Sequence, residues 1–189
     1  KSKIKEIENI YNPSTPYAVS RTTADLYLKI LFENFKYPFI ILRASNVYGE
    51  YQRLYRIIPK AIDFFNRKKV IPLHGGGSSI RSFIHIDDVC DASYKAIKKG
   101  VSGSIYHISS DYYISIKNLL KQISTIMNVD YKKYVKSVSD RKGKDGFYKL
   151  KSNKIKKLGW KTKVNLKTGI KRVISWYKIN QKNFKDKDF

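Results

Sequence analysis

One short apolar run, Phe39-Ile-Ile-Leu42, constrains the fold of this sequence more than any other feature. An uninterrupted run of this length is typical of a strand that is buried on both faces of a parallel sheet. A long helical pattern precedes it, since apolar residues recur at helical spacing from Tyr17 to about Phe35. Because helical and strand patterns go on alternating to about Ile179, the sequence predicts an α/β architecture.

The same periodicities and local signals predict the remaining elements. They indicate helices at about 57–66, 87–98 and 116–127, a short one that ends at Leu158 before Gly159, and one at 166–179, with strands at 70–73, 81–86 and 104–108. Residues 45–49 are expected to form a polar loop, and residues 75–79 a flexible turn. Side chains that accept hydrogen bonds from free helix amides are expected as caps at Ser14 or Thr15, at Asp87 or Asp88, and at Ser115.

Composition excludes several classes of protein. Cys90 is the single cysteine, so we expect no internal disulfide and no cysteine-based metal cluster, and a reducing cytoplasm is the predicted compartment. The three histidines lack ligand-like spacing, so no metal site is predicted. No apolar run approaches the roughly 18 residues of a membrane span, and the first residues lack the apolar core of a signal peptide. We therefore expect a soluble protein without a membrane partner.

The charge of the chain raises the question of nucleic-acid binding. There are 39 Lys+Arg against 15 Asp+Glu, which gives a formal net charge of +24. However, only 8 of the 39 are arginine, the residue best suited to bidentate phosphate contacts, and the lysines are spread along the chain. No helix-turn-helix, zinc-finger or RNP-type pattern accompanies them. The sequence therefore predicts no dedicated binding of nucleic acid.

A tyrosine and an arginine stand four residues apart at the start of the first helix. Residues at this spacing lie on one helix face, so the Tyr17 phenol and the Arg21 guanidinium can point the same way. A nearby cation favours the ionised phenol, which would make Tyr17 a usable general base. Taken alone, the pair is also compatible with a packed tyrosine and a surface arginine.

Three further polar residues are candidates for ligand binding. Asn46 follows the apolar strand, and ligands of open α/β sheets bind beyond the carboxyl ends of the strands. Its amide can donate to and accept from a sugar or a phosphate. Arg81 and Arg141 could each clamp a phosphate oxygen through paired N–H groups. The alternatives are a plain turn at Asn46 and solvated charges at the two arginines.

Five segments, taken in order, carry a resemblance to a known family. They are Ser14-Thr-Pro-Tyr17-x-x-x-Arg21, Arg43-Ala-Ser-Asn46-Val-Tyr-Gly49, Arg81-Ser-Phe-Ile-His-Ile-Asp-Asp88, Ser139-Asp-Arg141-Lys-Gly-Lys-Asp145 and Lys157-Leu-Gly-Trp160. With them the chain resembles the extended short-chain dehydrogenase/reductase family, and within it the nucleotide-sugar 4,6-dehydratases of the dTDP-glucose type. The resemblance runs from about Pro13 to Tyr177.

The resemblance implies a fold and a division of the chain. The expected fold class is α/β: the C-terminal part of an NAD(P)-binding Rossmann-like fold plus a small α/β substrate-binding domain. Residues 1–73 would form the end of the Rossmann-like domain with the tyrosine helix and part of the substrate region. Residues 74–180 would form a mixed segment that binds substrate and completes the Rossmann-like fold, and residues 181–189 a basic tail.

The resemblance also implies a reaction. Tyr17, with Arg21 beside it, would remove the proton of the sugar C4 hydroxyl while NAD takes the C4 hydride, and water would then leave across C5 and C6. The residues implied to bind the nucleoside-diphosphate sugar are Asn46, Arg81, His107, Arg141 and Asp145. The complete protein would be a homodimer through its long helices. A nucleotide-sugar epimerase or decarboxylase, or a non-catalytic sugar-nucleotide binding module, are the alternatives.

The sequence departs from the family pattern in four ways. Arg21 stands where the family has lysine, and His107 where dehydratases usually have asparagine. Glu6 and Glu8 do not match the family's Thr-Asp-Glu context for the acid and base of water elimination. No glycine-rich NAD-binding turn precedes the tyrosine, and the glycine run at 75–77 fails the dinucleotide pattern because no helix opens there. We therefore expect this chain alone to bind NAD weakly or not at all.

Overall fold

A computed structural model describes residues 12–140 and 149–181 of the chain. The helices are α1 (Pro16–Phe35), α2 (Ile57–Asn66), α3 (Ile86–Lys99), α4 (Ile116–Ile126), α5 (Tyr131–Tyr134), α6 (Asn153–Lys157) and α7 (Leu166–Asn180). The strands are β1 (Ile40–Ala44), β2 (Asn46–Tyr48), β3 (Ile71–His74), β4 (Ile80–His85), β5 (Ser104–Ile108), β6 (Tyr113–Ser115) and β7 (Val135–Val138). The predicted α/β class is confirmed, and the main helices and strands lie within a few residues of their expected positions.

The sheet layer, which we define as β1, β5 and the helices on their two faces, begins with α1. Thr15 caps this helix by accepting a hydrogen bond from the Ala18 amide at 3.1 Å. Strand β1 pairs in parallel with β5, and α3 and α6 cover one face of this pair with apolar side chains. On the other face, α1 leaves a cavity of about 150 Å³ that Ile41 and Ile105 line.

This loose packing corrects one expectation. The apolar run was predicted to be buried on both faces, whereas the first four residues of β1 are only half-buried. The reason is the packing of α1, which has no buried residue in the described part of the chain. The apolar contact lies in the C-terminal half of the helix, where the Phe32 and Phe39 rings meet edge to face at 5.7 Å between centroids. Gly103 permits this approach, because a Cβ there would lie 2.8 Å from Phe32 Cε1.

The segment expected to be a polar loop at residues 45–49 contains the strand β2 instead. Strand β2 pairs in parallel with β4, so that Asn46 lies opposite Phe83. Strand β4 pairs on its other side with the antiparallel strand β6, which the sequence did not reveal. Strands of three residues are too short to show a period, which explains why both were missed.

The cap of α3 also differs from the expectation. Its N-cap is His85, whose Nδ1 accepts a hydrogen bond from the Asp87 amide at 3.2 Å, and neither Asp87 nor Asp88 occupies that position. Asp88 is buried and accepts hydrogen bonds from the amides of Lys163 and Val164 at 2.9 and 3.1 Å. The carboxylate therefore fixes the segment before α7 rather than the start of α3.

The helical lobe, which we define as α2, α4, α7 and the parallel pair β3–β7, contains the larger apolar core. Fully buried members include Leu54, Ile58, Ile62, Leu120 and Ile170. The predicted cap Ser115 accepts from the Asn118 amide at the start of α4, and Asn165, which was not predicted, accepts from the Thr168 amide at the start of α7. Within the described residues, no helix has the length and apolar character that a bilayer crossing requires.

Candidate active site

A cleft of about 750 Å³ opens between the first turn of α1 and the carboxyl ends of β1 and β2. Its lining brings together Tyr17, Ser45, Asn46, Tyr48 and Phe83 with the segment that leads into α2. The end of a parallel strand is where ligands of open α/β sheets bind. Two of the sequence-derived candidates, Tyr17 and Asn46, thus lie in one cavity although 28 residues separate them in the chain.

The Asn46 side chain is held in place by the neighbouring strand. Its Nδ2 donates a hydrogen bond to the Ser82 carbonyl at 3.0 Å. Ser82 belongs to a buried group of serines, because its hydroxyl lies 2.9 Å from that of Ser110 and accepts from that of Ser109 at 3.1 Å. A polar cluster that is satisfied internally rigidifies its surroundings. The floor of the cleft is therefore preorganised around Asn46.

The loop between β2 and α2 supplies residues that the sequence analysis missed. Gln52 and Arg56 line the cleft, and the Gln52 Nε2 donates to the Val47 carbonyl at 2.7 Å. The Arg56 guanidinium lies 5.1 Å from the centroid of the Tyr55 ring, in a cation–π arrangement. Arg56 follows the Asn46 motif by only ten positions. Its place in a basic segment ahead of a helix was the signal that could have drawn attention to it.

A side cavity of about 290 Å³ adjoins the cleft and shares Tyr55 and Ile57 with it. Most of its walls are apolar or aromatic, and Lys60 and His74 add polar groups; the remaining lining residues are Ile71, Pro72, Leu73, Ile116 and Leu120. Binding sites with this composition favour a flat, partly apolar group held by a few polar contacts. The two cavities together form an elongated site with a cation, Arg56, in the cleft near the side cavity.

The other predicted ligand-binding residues lie elsewhere or outside the description. Arg81 is half-buried on β4, where its Nη1 donates to the Ile80 carbonyl at 2.9 Å. His107 is 1% exposed on β5, opposite Arg43 on β1. Neither is among the residues that line the cleft. Arg141 and Asp145 lie outside the described residues.

The side chains of Tyr17 and Arg21 are open to solvent at the start of α1. Tyr17 is 75% exposed, and Arg21, one turn further along α1, is also exposed. By the family resemblance, these two side chains are also predicted to contact the nicotinamide end of NAD. Within residues 12–140 and 149–181, the glycine run is the turn at Gly75–Gly77 between β3 and β4, with the Asp140 carboxylate against Gly75. A carboxylate at that position would repel a phosphate, so this turn is not a pyrophosphate site.

Burial changes the acidity of the tyrosine at the rear of the cleft. Burial, with the nearby Asp88 carboxylate, raises the pKa of Tyr48 far above its ordinary value. Its ring meets that of His85 edge to face at 5.2 Å. A Cβ at position 169 of α7 would collide with the Tyr48 hydroxyl, which explains the glycine there. Tyr48 thus remains a protonated packing residue and is not a second candidate base.

No group of three or more His, Cys, Asp or Glu side chains in the described part of the chain could hold a metal ion. The groups that line the cleft include the Tyr17 phenol, the amides of Asn46 and Gln52, and the Arg56 guanidinium. These groups can accept a proton, orient hydroxyls and bind an anion.

Comparison with known proteins identifies the family. Residues 2–109 match the model of the NAD dependent epimerase/dehydratase family, and the chain belongs to this family. The dTDP-D-glucose 4,6-dehydratase of Homo sapiens is 36% identical over 179 residues, a match that covers 92% of this chain and 51% of the human protein. The chain thus spans about half the length of the curated relatives that it matches.

Solved structures agree with this assignment. A dTDP-glucose 4,6-dehydratase from Streptomyces venezuelae, solved with NAD bound, superposes with a TM-score of 0.92 at 28% identity and covers 98% of this chain and 57% of its own. A UDP-glucose 4-epimerase from Thermotoga maritima, solved with UDP-glucose, has a TM-score of 0.87 at 24% identity and covers 96% of this chain and 60% of its own. The predicted Rossmann-like fold and the predicted family are therefore confirmed, and the family is NAD-dependent.

Proposed function

We propose that this chain supplies the substrate-binding part, and the proton-accepting tyrosine, of an NAD-dependent nucleotide-sugar 4,6-dehydratase. The observation that carries the proposal is the cleft that Tyr17 and Asn46 share, with Arg56 beside it. The cleft and the side cavity together have room for a sugar, a diphosphate and a base. The match to dTDP-D-glucose 4,6-dehydratases supports the choice of reaction.

Each part of such a ligand has a proposed contact. The base would enter the side cavity, Arg56 would bind the diphosphate, and Asn46 would orient the sugar or the adjoining phosphate. Arg81 and His107 remain predicted ligand contacts, as do Arg141 and Asp145. A charge-assisted contact of arginine with phosphate contributes about 1.5–3 kcal/mol, so a few such residues would dominate the affinity.

Tyr17, as a phenolate with Arg21 one helical turn away, would accept the proton of the sugar C4 hydroxyl and become a phenol. Bound NAD supplies hydride acceptance and return in this family. We do not assign the pyrophosphate of NAD to the turn at Gly75–Gly77, because the Asp140 carboxylate lies against it. A cytoplasmic compartment suits the proposal, since Cys90 is an exposed free thiol.

The outer face of α1 supports a homodimer of the complete protein. This face exposes Val19, Leu26 and Ile30. Contiguous apolar surface of this kind marks an interaction site. Sedimentation equilibrium tests the proposal, since Ile30→Asp should dissociate the dimer. Ile179 is also an exposed isoleucine, but it lies on α7, so Ile179→Asp should leave the dimer intact.

A nucleotide-sugar epimerase is the second candidate, because the Thermotoga maritima epimerase shares the fold. A 4-epimerase also needs the tyrosine, the sugar-nucleotide site and NAD, and it differs from a dehydratase in eliminating no water. A non-catalytic binding module would use the same cavities without proton transfer. Product analysis with dTDP-glucose separates these functions, since a dehydratase releases a 4-keto-6-deoxy sugar.

Binding calorimetry with thymidine diphosphate and uridine diphosphate tests the site itself. Arg56→Ala and Asn46→Ala should each weaken binding about tenfold or more, as expected when a contact to a charged group is lost. Lys171→Ala, which removes an exposed cation on α7, is the matched control and should change the affinity less than twofold. Equal losses from the control and the cleft variants would contradict the proposal and indicate a general attraction of polyanions.

A further inference from the structure

We propose that Asp25 and Arg43 form a positioning pair that sets the distance between Tyr17 and the floor of the cleft. The inference rests on the proposed function only in taking Tyr17 as the proton acceptor. Asp25 Oδ2 lies 2.5 Å from Arg43 Nη2, and the two side chains are 13% and 30% exposed. A charge-assisted contact this short and this shielded from solvent is held more firmly than an exposed surface pair.

The spacing along α1 connects this pair to the candidate base. Tyr17, Arg21 and Asp25 are each four residues apart, so they lie along one face of the helix. Eight residues of α-helix span about 12 Å. Asp25 therefore fixes the helix about 12 Å from the residue whose position matters for proton transfer, and a small tilt at Asp25 becomes a displacement at Tyr17.

The other end of the pair, Arg43, is connected to the cleft floor through the chain that follows it. Arg43 lies in β1, three positions before Asn46, and β1 is held by its parallel pairing with β5. Asn46 is itself fixed through the Ser82 carbonyl. The ion pair thus joins the helix that carries Tyr17 to the strand that leads to Asn46, which are the two sides of the site.

The packing of α1 explains why such a pair is needed. The helix has no buried residue, and a cavity of about 150 Å³ lies between it and the sheet. Its aromatic anchor, Phe32 against Phe39, holds the C-terminal half of the helix. Apolar burial does not locate the N-terminal half, and the Asp25–Arg43 contact is a directional interaction that can do so.

Spin-label distance measurements on the chain test this directly. One label is attached to the natural, exposed Cys90 on α3 and the other to Val19→Cys, near the start of α1. Asp25→Asn and Arg43→Gln should each shift or broaden the distance distribution by about 2 Å or more, because Val19 is six residues, or about 9 Å of helix, from Asp25 and a tilt of about 15° moves the end of that arm this far. The exchanged pair, Asp25→Arg with Arg43→Asp, should restore the narrow distribution.

Two controls separate positioning from a general loss of structure. Glu33→Gln removes an equal charge from the same helix, but Glu33 pairs with Lys29 within α1, so the distribution should not change. Neither Asp25 nor Arg43 lines the cleft, so thymidine diphosphate affinity should stay within about twofold in both variants. An unchanged distance distribution in Asp25→Asn and Arg43→Gln would overturn the inference. Failure of thymidine diphosphate to bind the unmodified chain would instead contradict the proposed function.

Discussion

Two long helices of this protein, α1 and α7, have nearly opposite relations to the rest of the molecule. Helix α1 has 20 residues and buries none of them, whereas α7 has 15 residues and buries six. Helix α7 packs into the core of the helical lobe and closes it, while α1 rests on the sheet over a cavity. The comparison teaches that stability and candidate chemistry are divided: the firmly packed helix supports the fold, and the loosely packed helix carries Tyr17.

Different interactions hold the two helices. On α7, the Tyr177 hydroxyl donates to the buried Asp63 carboxylate, which also accepts from Arg67 Nε at 2.7 Å. On the same helix, Arg172 contacts Glu50 at 3.2 Å and Asp87 at 2.9 Å. The contacts of α7 add to the burial of its apolar side chains. The Asp25–Arg43 pair holds α1, a helix that buries no residue.

The largest expected effect is at Asp63. Asp63→Ala should lower the free energy of unfolding by about 4 kcal/mol, because removing one member of a buried charged network leaves its partners without compensation. Glu33→Ala on α1 removes an exposed carboxylate and should cost less than about 0.5 kcal/mol. Urea unfolding measures both. If Glu33→Ala lowered the free energy of unfolding nearly as much as Asp63→Ala, the contrast between the two regions would be wrong.

The second prediction compares the same substitution in the two regions. Ile62 on α2 is 0% exposed and Ile30 on α1 is 53% exposed. Ile62→Ala should cost about 3 kcal/mol because it removes buried methyl groups and leaves a cavity. Ile30→Ala should change stability by less than about 0.5 kcal/mol in the monomer. Thermal unfolding at low protein concentration provides the measurement, and equal shifts would show that α1 is packed more firmly than described.

The third prediction concerns pH and the contact between α2 and α7. Burial and the hydrogen bond to Asp63 raise the pKa of Tyr177 to about 12. The unfolded chain releases this proton near its ordinary value of about 10, so the contribution to stability is complete below about pH 10 and is lost as the pH approaches 12. Between pH 9 and pH 11.5, the urea midpoint of unfolding should fall more for the unmodified chain than for Tyr177→Phe. An equal fall of the midpoint in both proteins would show that the proton of Tyr177 does not contribute to this pH dependence.

The smallest expected effects come from the helix caps. Asn165 accepts from the Thr168 amide at 2.9 Å on α7, and Thr15 accepts from the Ala18 amide at 3.1 Å on α1. Asn165→Ala should cost about 1 kcal/mol of global stability. Thr15→Ala should leave global unfolding nearly unchanged and instead speed amide hydrogen exchange in the first turn of α1. If both variants lowered global stability equally, α1 would have to unfold together with the core.

The sequence predicted the regular elements better than the details of the site. Helix α2 and strand β5 have the expected bounds, because periodicity and apolar runs specify such elements locally. His85 replaced the expected aspartate cap because the two aspartates became engaged by α7 and the segment before it. Arg56 was missed because its role depends on the cleft, which forms only when α1, β2 and the loop before α2 come together.

The parallel pairing of the strands has a consequence for synthesis on the ribosome. Ile40 pairs with Ser104, and Ile71 pairs with Val135, so each early strand must wait until a distant part of the chain has emerged. Distant pairings of this kind slow folding, and chains emerge at only about 5–20 residues per second. For several seconds α1 and β1 would thus be available without their sheet partner. A nascent chain in this interval offers apolar surface to chaperones, and synonymous codons that slow translation just after β1 should prolong it.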